Sequence, residues 1–296
     1  MMRWMAFFLL APLAGAAADK PSYVATIHPA AAIVREVTGT RAEVTRLIAP
    51  GASPHTYSPR PSDMVAVESA AALVMVSPEL DGWAAKFPAK KTFVLMDALP
   101  AGLRLAPPVL DHDHEQGHDD AAEECGARSF DPHFWMDPVC VKALLPALVE
   151  WLGGVDPEGK PEYVANAARF ASDLDRLDRE AAAIVAPIKG ASVVSFHPSM
   201  GYFLKRYGLV HAGSIEPSPG KEPTPRYIES VVKTVRKTGA KAVFTEPTLP
   251  KRPAQVVAEA AGVALGEIDV EGGSGGRQTY SDLILHNARQ LSDLLK

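Results

Sequence analysis

The chain has 296 residues, with 30 Lys/Arg against 35 Asp/Glu and a formal net charge of −5. That length is long for one domain and comfortable for two. The mild acidity and the lack of any Lys/Arg stripe argue against a nucleic-acid partner.

The opening segment MMRWMAFFLLAPLAGAAADK reads as a secretory signal peptide over residues 1–18. Arg3 forms the positive n-region, residues 4–13 the apolar h-region, and Ala14-Gly15-Ala16 or Ala16-Ala17-Ala18 the cleavage site. The apolar run is shorter than the roughly 20 residues that a membrane helix needs. No Cys follows it and nothing later resembles a membrane span. The expected product is exported, soluble, and free of a lipid anchor or membrane insertion.

Residues 23–27 predict a strand, 29–37 a helix stopped by Gly39, and 42–48 a second strand. A helix near 62–70 follows, then apolar runs at 72–76 and 92–96. Short β-branched runs alternating with helical patterns point to βαβ units and a mostly parallel sheet. His55, in GASPHTYSPRPSD, lies beyond the carboxyl end of the second strand, where open parallel sheets place ligands. A surface-loop histidine without a role is the alternative. The segment DHDHEQGHDD at 111–120 carries His112, His114 and His118 among acidic residues, a tract suited to weak secondary metal binding or to a solvated linker.

Cys125 and Cys140 are the two cysteines. In an oxidising compartment they form a disulfide candidate, worth about 3 kcal/mol for a loop of this size. Thiolate ligation is the weaker reading, because no CxxC spacing supports it. Between them His133 sits in DPHFWMDP, before a helix over 137–152 with Asp137 as N-cap and Pro138 at N1. The neighbours Phe134, Trp135 and Met136 either shield a metal or belong to the core.

Tyr163, Ala167, Phe170, Leu174, Leu177, Ala181 and Ile184 recur at helical spacing as one apolar seam. They predict a rod of about 38 Å, which either packs against both halves or forms a coiled coil. The α/β logic then repeats: strands at 192–196, 241–245 and 264–268, a helix opened by Thr224-Pro225 and closed by Gly239, and a last helix over 280–295. The expected organisation is an N-terminal lobe at 19–156, a linking backbone helix at 157–189 and a C-terminal lobe at 190–296.

His197, in SFHPSMGY, directly follows the strand SVVSF, and Asp269 ends the strand before a Gly-rich turn. A core histidine and a turn aspartate are the bland readings. Proline brackets all three histidines, at Pro54, Pro59, Pro61, Pro132, Pro138 and Pro198, and stiffens their loops. His55, His133, His197 and Asp269 fall two in each half, so they can meet only across a cleft. Three imidazoles and a carboxylate suit Zn²⁺, with Mn²⁺ or Fe²⁺ as poorer fits. Glu246 is a candidate to orient a histidine ligand; Glu216 and Glu222 lie on loops or strand ends of the same half. His28 ends the first strand and could line the cleft, while His211 and His286 have no comparable context. HExxH, GxSxG and Walker loops are absent. A secreted zinc hydrolase with an open coordination position is the competing class, and a metal-dependent adhesin or chaperone a third.

In this order and spacing, GASPHTYSPRPSD, the acidic His tract, DPHFWMDP, SFHPSMGYFLKRYGL, IEPSPGKEPTP, VFTEPTLPKR and YSDLILHNARQLSDLL resemble the zinc/manganese-type (cluster A-I) periplasmic substrate-binding proteins of bacterial metal ABC transporters. The resemblance covers the whole chain after the signal peptide. It implies an α/β fold of two βα lobes joined by a long rigid helix, one metal between them, and ligands at His55, His133, His197 and Asp269. Histidine at the third position is similar to the zinc-type members, whereas many manganese-type ones carry Glu there. Where the family has Asp-Pro after the last strand, Val270 follows Asp269 here, and water or another carboxylate is the alternative fourth ligand. The implied role is non-enzymatic: a periplasmic monomer captures Zn²⁺, with Mn²⁺ or Fe²⁺ as the alternative cargo, and delivers it to an inner-membrane permease.

Overall fold

The structure, a computed structural model, describes residues 20–107, 130–218 and 220–296. The signal-peptide reading, the tract with His112, His114 and His118, and Cys125 lie outside the described residues.

The first half runs β1 (Ser22–Ala25), α1 (His28–Thr38), β2 (Glu43–Arg46), α2 (Pro61–Ser69), β3 (Ala72–Met75), α3 (Pro78–Asp81), β4 (Thr92–Val94), α4 (Leu95–Ala98) and α5 (Pro138–Val155). The long helix α6 (Lys160–Val185) follows. The second half runs β5 (Ser192–Ser195), α7 (Gly201–Tyr207), β6 (Val210–Ser214), α8 (Pro225–Thr238), β7 (Ala242–Thr245), α9 (Lys251–Ala261), β8 (Ala264–Glu267) and α10 (Tyr280–Leu295). The strands form two four-stranded parallel sheets, ordered β2-β1-β3-β4 and β6-β5-β7-β8. Each half thus starts on an inner strand, steps to one edge and returns to the other side. That reversal opens a crevice at the carboxyl ends of the strands.

Local chemistry sets the element ends. Asp137 accepts a hydrogen bond from Val139 N at 2.8 Å and Thr224 one from Tyr227 N, each with Pro at the next position. Gly239 closes α8 in the left-handed conformation. By length and composition α5 could cross a bilayer. Its residues Val141, Leu144, Leu148 and Leu152 are instead buried in the core, with α5 packed on α6.

Helix α6 has 26 residues, a rod of about 39 Å. Its seam residues Tyr163, Phe170, Leu174, Leu177 and Ala181 are buried among α1, α5 and α10, so the coiled-coil alternative does not apply. Asn166 Nδ2 donates to Val37 O at 3.1 Å on one side, and Ser292 Oγ to Ile184 O at 2.9 Å on the other. The main hydrophobic cluster runs unbroken from Tyr23 and Val74 through α6 to Phe244 and Leu291. One core therefore serves both sheets.

Five elements lack a counterpart in the sequence reading, among them the short helix α4, which takes over the end of the run at 92–96. Strand β6, with the sequence VHAGS, is a partly exposed edge strand without an apolar run. Helices α3 and α7 are short, and α9 opens without a side-chain cap.

Because the core is continuous, both lobes should unfold in one transition, with far-UV circular dichroism and tryptophan fluorescence coincident in denaturant. Phe170 is 3% exposed and meets Tyr280 edge to face at 6.2 Å. Phe170→Ala should lower stability by about 3–5 kcal/mol while keeping that single transition. Two separated transitions would contradict the shared core.

Candidate metal centre

His55 occupies a single 3-10 turn, Pro54–Thr56, beyond β2. Pro54 presets the backbone, and Asp63 ties the following stretch to α2. Its carboxylate accepts from Tyr57 Oη at 2.6 Å and from Arg60 N at 2.8 Å. Tyr57 packs in turn on Trp83, with ring centroids 5.0 Å apart. The loop is thus a fixed arm carrying His55 over the cleft.

His133 and His197 are each fastened from behind. His133 Nδ1 lies 2.7 Å from Asp131 Oδ1, which also accepts from the His133 backbone N at 3.0 Å. His197 Nδ1 lies 2.7 Å from Glu246 Oε1, which also takes Ser199 Oγ at 3.3 Å. Asp131 and Glu246 are buried. Glycine at 201 leaves room for Asp131, since a Cβ there would stand 2.7 Å from Asp131 Oδ2. A carboxylate facing Nδ1 assigns the proton to that nitrogen and leaves the Nε2 lone pair free for a metal.

The Nε2 atoms converge. His55 and His133 Nε2 are 3.4 Å apart, and His133 and His197 Nε2 3.3 Å. The ligand atoms of all three lie within 4.8 Å of one another. Tetrahedral donors at about 2.0–2.1 Å from Zn²⁺ stand about 3.3–3.4 Å from each other. Octahedral neighbours at that bond length would be only about 2.8–3.0 Å apart. The two edges that meet at His133 have the length of a zinc tetrahedron's, and the third pair, His55 and His197, lies within 4.8 Å.

Burial, then the neighbouring His133 and His197, push the His55 pKa down to about 2, so this imidazole is a neutral ligand at any working pH. At His197 burial acts in the same sense. The charges of Glu246, Asp131 and Glu216 outweigh it, and the pKa is raised above its usual 6.5.

Asp269 departs from expectation: it is not in the cluster. Its Oδ1 accepts from Glu271 N and Gly272 N, both at 2.9 Å, and its Oδ2 pairs with Arg277 Nε at 2.5 Å. The turn it anchors holds Gly272 and Gly273 at φ +65° and +77°. Glu271, which sequence reasoning passed over, has no hydrogen-bond partner for its carboxylate among the described residues. Burial, then the charges of Asp269 and Glu246, raise its pKa to about 8. Its one signal in the sequence is a carboxylate beside the Gly-rich turn.

Glu246 takes the orienting part the sequence suggested. Glu216 is buried and accepts from Gly220 N, and Glu222 lines the interlobe groove beside His55. His28 is held by Arg46 Nη1 at 3.0 Å and Gln278 O at 3.1 Å, a seam between the lobes with no share in the cluster. Cys140 is a buried free thiol among the described residues.

Asp131→Asn and Glu246→Gln should each weaken zinc binding roughly 10–100-fold while keeping one ion per chain, read by competition with a chromophoric chelator. Loss of less than about twofold in both would show the carboxylates to be bystanders.

Residues 24–294 match the family model described as zinc-uptake complex component A, periplasmic. The chain is 30% identical to the high-affinity zinc uptake system protein ZnuA of Brucella abortus, over 99% of this chain and 96% of that protein. Its fold is similar to a crystal structure of ZnuA (TM-score 0.77, 22% identity, 94% and 100% of the two chains). It is also similar to the periplasmic zinc-binding protein TroA of Treponema pallidum (TM-score 0.78, 20% identity, 93% and 99%). The chain belongs to the ZnuA family of periplasmic zinc-uptake components.

Proposed function

We propose that this protein captures Zn²⁺ in the periplasm at His55, His133 and His197 and delivers it to the permease of an ABC transporter. The observation that carries this reading is the 3.3–3.4 Å spacing of the Nε2 atoms, each of two imidazoles backed by a buried carboxylate. Asp131 and Glu246 offset the charge of a divalent ion in a site of low exposure, which favours retention. The fourth position falls to water or to Glu271, a nearby carboxylate without a hydrogen-bond partner among the described residues. Mn²⁺ is the weaker cargo, because three nitrogen donors at tetrahedral spacing suit the softer ion.

The role is binding rather than catalysis. A zinc hydrolase needs a carboxylate free to activate the metal-bound water. Asp131 and Glu246 each face Nδ1 of a histidine instead, so a hydrolase would have to use Glu271, and the assay for ester and phosphoester turnover decides between the two roles. The ion enters on the side of His55, the one partly exposed member of the cluster. The protein acts as a monomer after removal of residues 1–18, and its partner is an inner-membrane permease.

Zinc should be the metal found in protein isolated from its own periplasm, and His55→Ala/His133→Ala/His197→Ala should bind none. Stoichiometric zinc in that triple variant would overturn the assignment. The zinc-loaded protein should turn over neither esters nor phosphoesters. Deleting the gene should impair growth at limiting zinc, which an adhesin role does not predict.

Binding needs His197 neutral at Nε2, and its pKa is raised. Affinity should therefore hold steady above that pKa and fall about tenfold per pH unit below it, starting above pH 6.5. Competition titrations across pH 5–8 check this; a flat profile would contradict it.

A further inference from the structure

We infer that Arg277 sets the metal preference of this site by holding Asp269 out of the ligand set, an inference that rests on the zinc-capture reading above. Every acceptor on Asp269 is engaged. Oδ2 pairs with Arg277 Nε, the two side chains 4% and 12% exposed, and Oδ1 takes two backbone N–H groups of its own turn. Asn287, fully buried, clamps the backbone: its Oδ1 accepts from Asp269 N at 2.8 Å, and its Nδ2 donates to Asp269 O at 2.6 Å.

The turn that does this lies beside the metal centre. Trp135 Nε1 donates to Val270 O at 2.8 Å, and the Trp135 ring is 5.2 Å from the His133 ring. Tyr280 Oη donates to Trp135 O at 2.6 Å, fastening the far end of the same turn to the His133 loop. Arg277 is placed by the turn itself: Gly273 N donates to Arg277 O at 2.7 Å, and Arg277 N to Ser274 O at 2.9 Å. A Cβ at Gly272 would meet Arg277 O at 3.1 Å, so the glycine lets the turn close.

Three imidazoles and one further donor make a four-coordinate site, which Zn²⁺ accepts readily. A second carboxylate would add oxygen and raise the coordination number, moving the site toward the harder Mn²⁺. Removing the guanidinium leaves Asp269 as a buried, unpaired charge, a state costly enough to drive it toward another cation. The ion at the three histidines, next to this turn through the Trp135–Val270 contact, then competes for that carboxylate with Arg46, which lies against Gly273 of the same turn.

The test compares the full chain with Asp269→Asn, Arg277→Met, Arg277→Lys and the Arg277→Met/Asp269→Asn double variant. Zn²⁺ and Mn²⁺ affinities are measured by competition, and the visible spectrum of bound Co²⁺ reports coordination number. Asp269→Asn should keep the four-coordinate Co²⁺ spectrum and lose less than roughly tenfold in zinc affinity, below the cost of removing a group that matters to the metal. Arg277→Met should gain at least roughly tenfold in Mn²⁺ over Zn²⁺ and show the weaker Co²⁺ absorption of a higher-coordinate ion. The double variant should revert to the wild-type ratio, and Arg277→Lys, which keeps a cation on Asp269, should never leave it.

A loss above roughly 100-fold in zinc affinity with an altered Co²⁺ spectrum in Asp269→Asn would make Asp269 a ligand and overturn the inference. So would an unchanged metal ratio and spectrum in Arg277→Met. The Asp269→Asn arm decides the question even if Arg277→Met does not fold. Failure of the unaltered chain to bind zinc would instead overturn the capture reading itself.

Discussion

Two buried carboxylates, Asp131 and Glu246, govern this molecule. Each accepts the Nδ1 proton of a histidine at 2.7 Å, and so decides which nitrogen of that ring carries a lone pair and where it points. Without them the rings of His133 and His197 could exchange tautomers or rotate, and the three Nε2 atoms would not converge. The same carboxylates balance the charge of a divalent ion where little water reaches. Hydrogen bonds to Asp131 Oδ1 and Glu246 Oε1 offset the cost of burying them, while Glu246 Oε2 is buried without a hydrogen-bond partner among the described residues.

A spacing set to a few tenths of an ångström requires a frame that does not flex. Helix α6 supplies it by sharing one hydrophobic core with both sheets. The Trp135–Val270 and Tyr280–Trp135 bonds cross the interlobe boundary next to the ligands, and His28 with Gln278 crosses it again. Wide hinge opening would break all three bonds and expose core. His133 and His197 are buried, whereas His55 on its 3-10 turn is partly exposed.

Much of this was legible in the residues. The strand at 192–196 and the helices opened by Thr224-Pro225 and Asp137-Pro138 announce themselves by apolar runs and caps, and β5, α8 and α5 lie there. The seam of α6 was readable because a buried helix face must repeat at 3.6 residues. Strand β6 was not, since an edge strand needs no apolar run; VHAGS is held by pairing with β5, by packing on α7 and α8, and by Tyr227 Oη donating to Ser214 O. The run at 92–96 breaks after Val94 into α4 because Leu95 and Met96 are buried by turning inward, an outcome periodicity cannot distinguish from a longer strand.

By itself the sequence determined the types and local frames of the donors: three histidines on proline-stiffened loops, with an aspartate and a glutamate at a glycine-rich turn. Those are properties of neighbouring residues, and they survive in any fold that keeps the loops. Only the tertiary structure decided which donors converge. His197, just beyond the carboxyl end of β5, meets His133, in the loop before α5 of the other half, with their Nε2 atoms 3.3 Å apart. Asp269 stays away because Arg277 and the backbone of its own turn neutralise its oxygens first. A ligand is defined by the direction of a lone pair, and that direction depends on partners that linear spacing does not reveal.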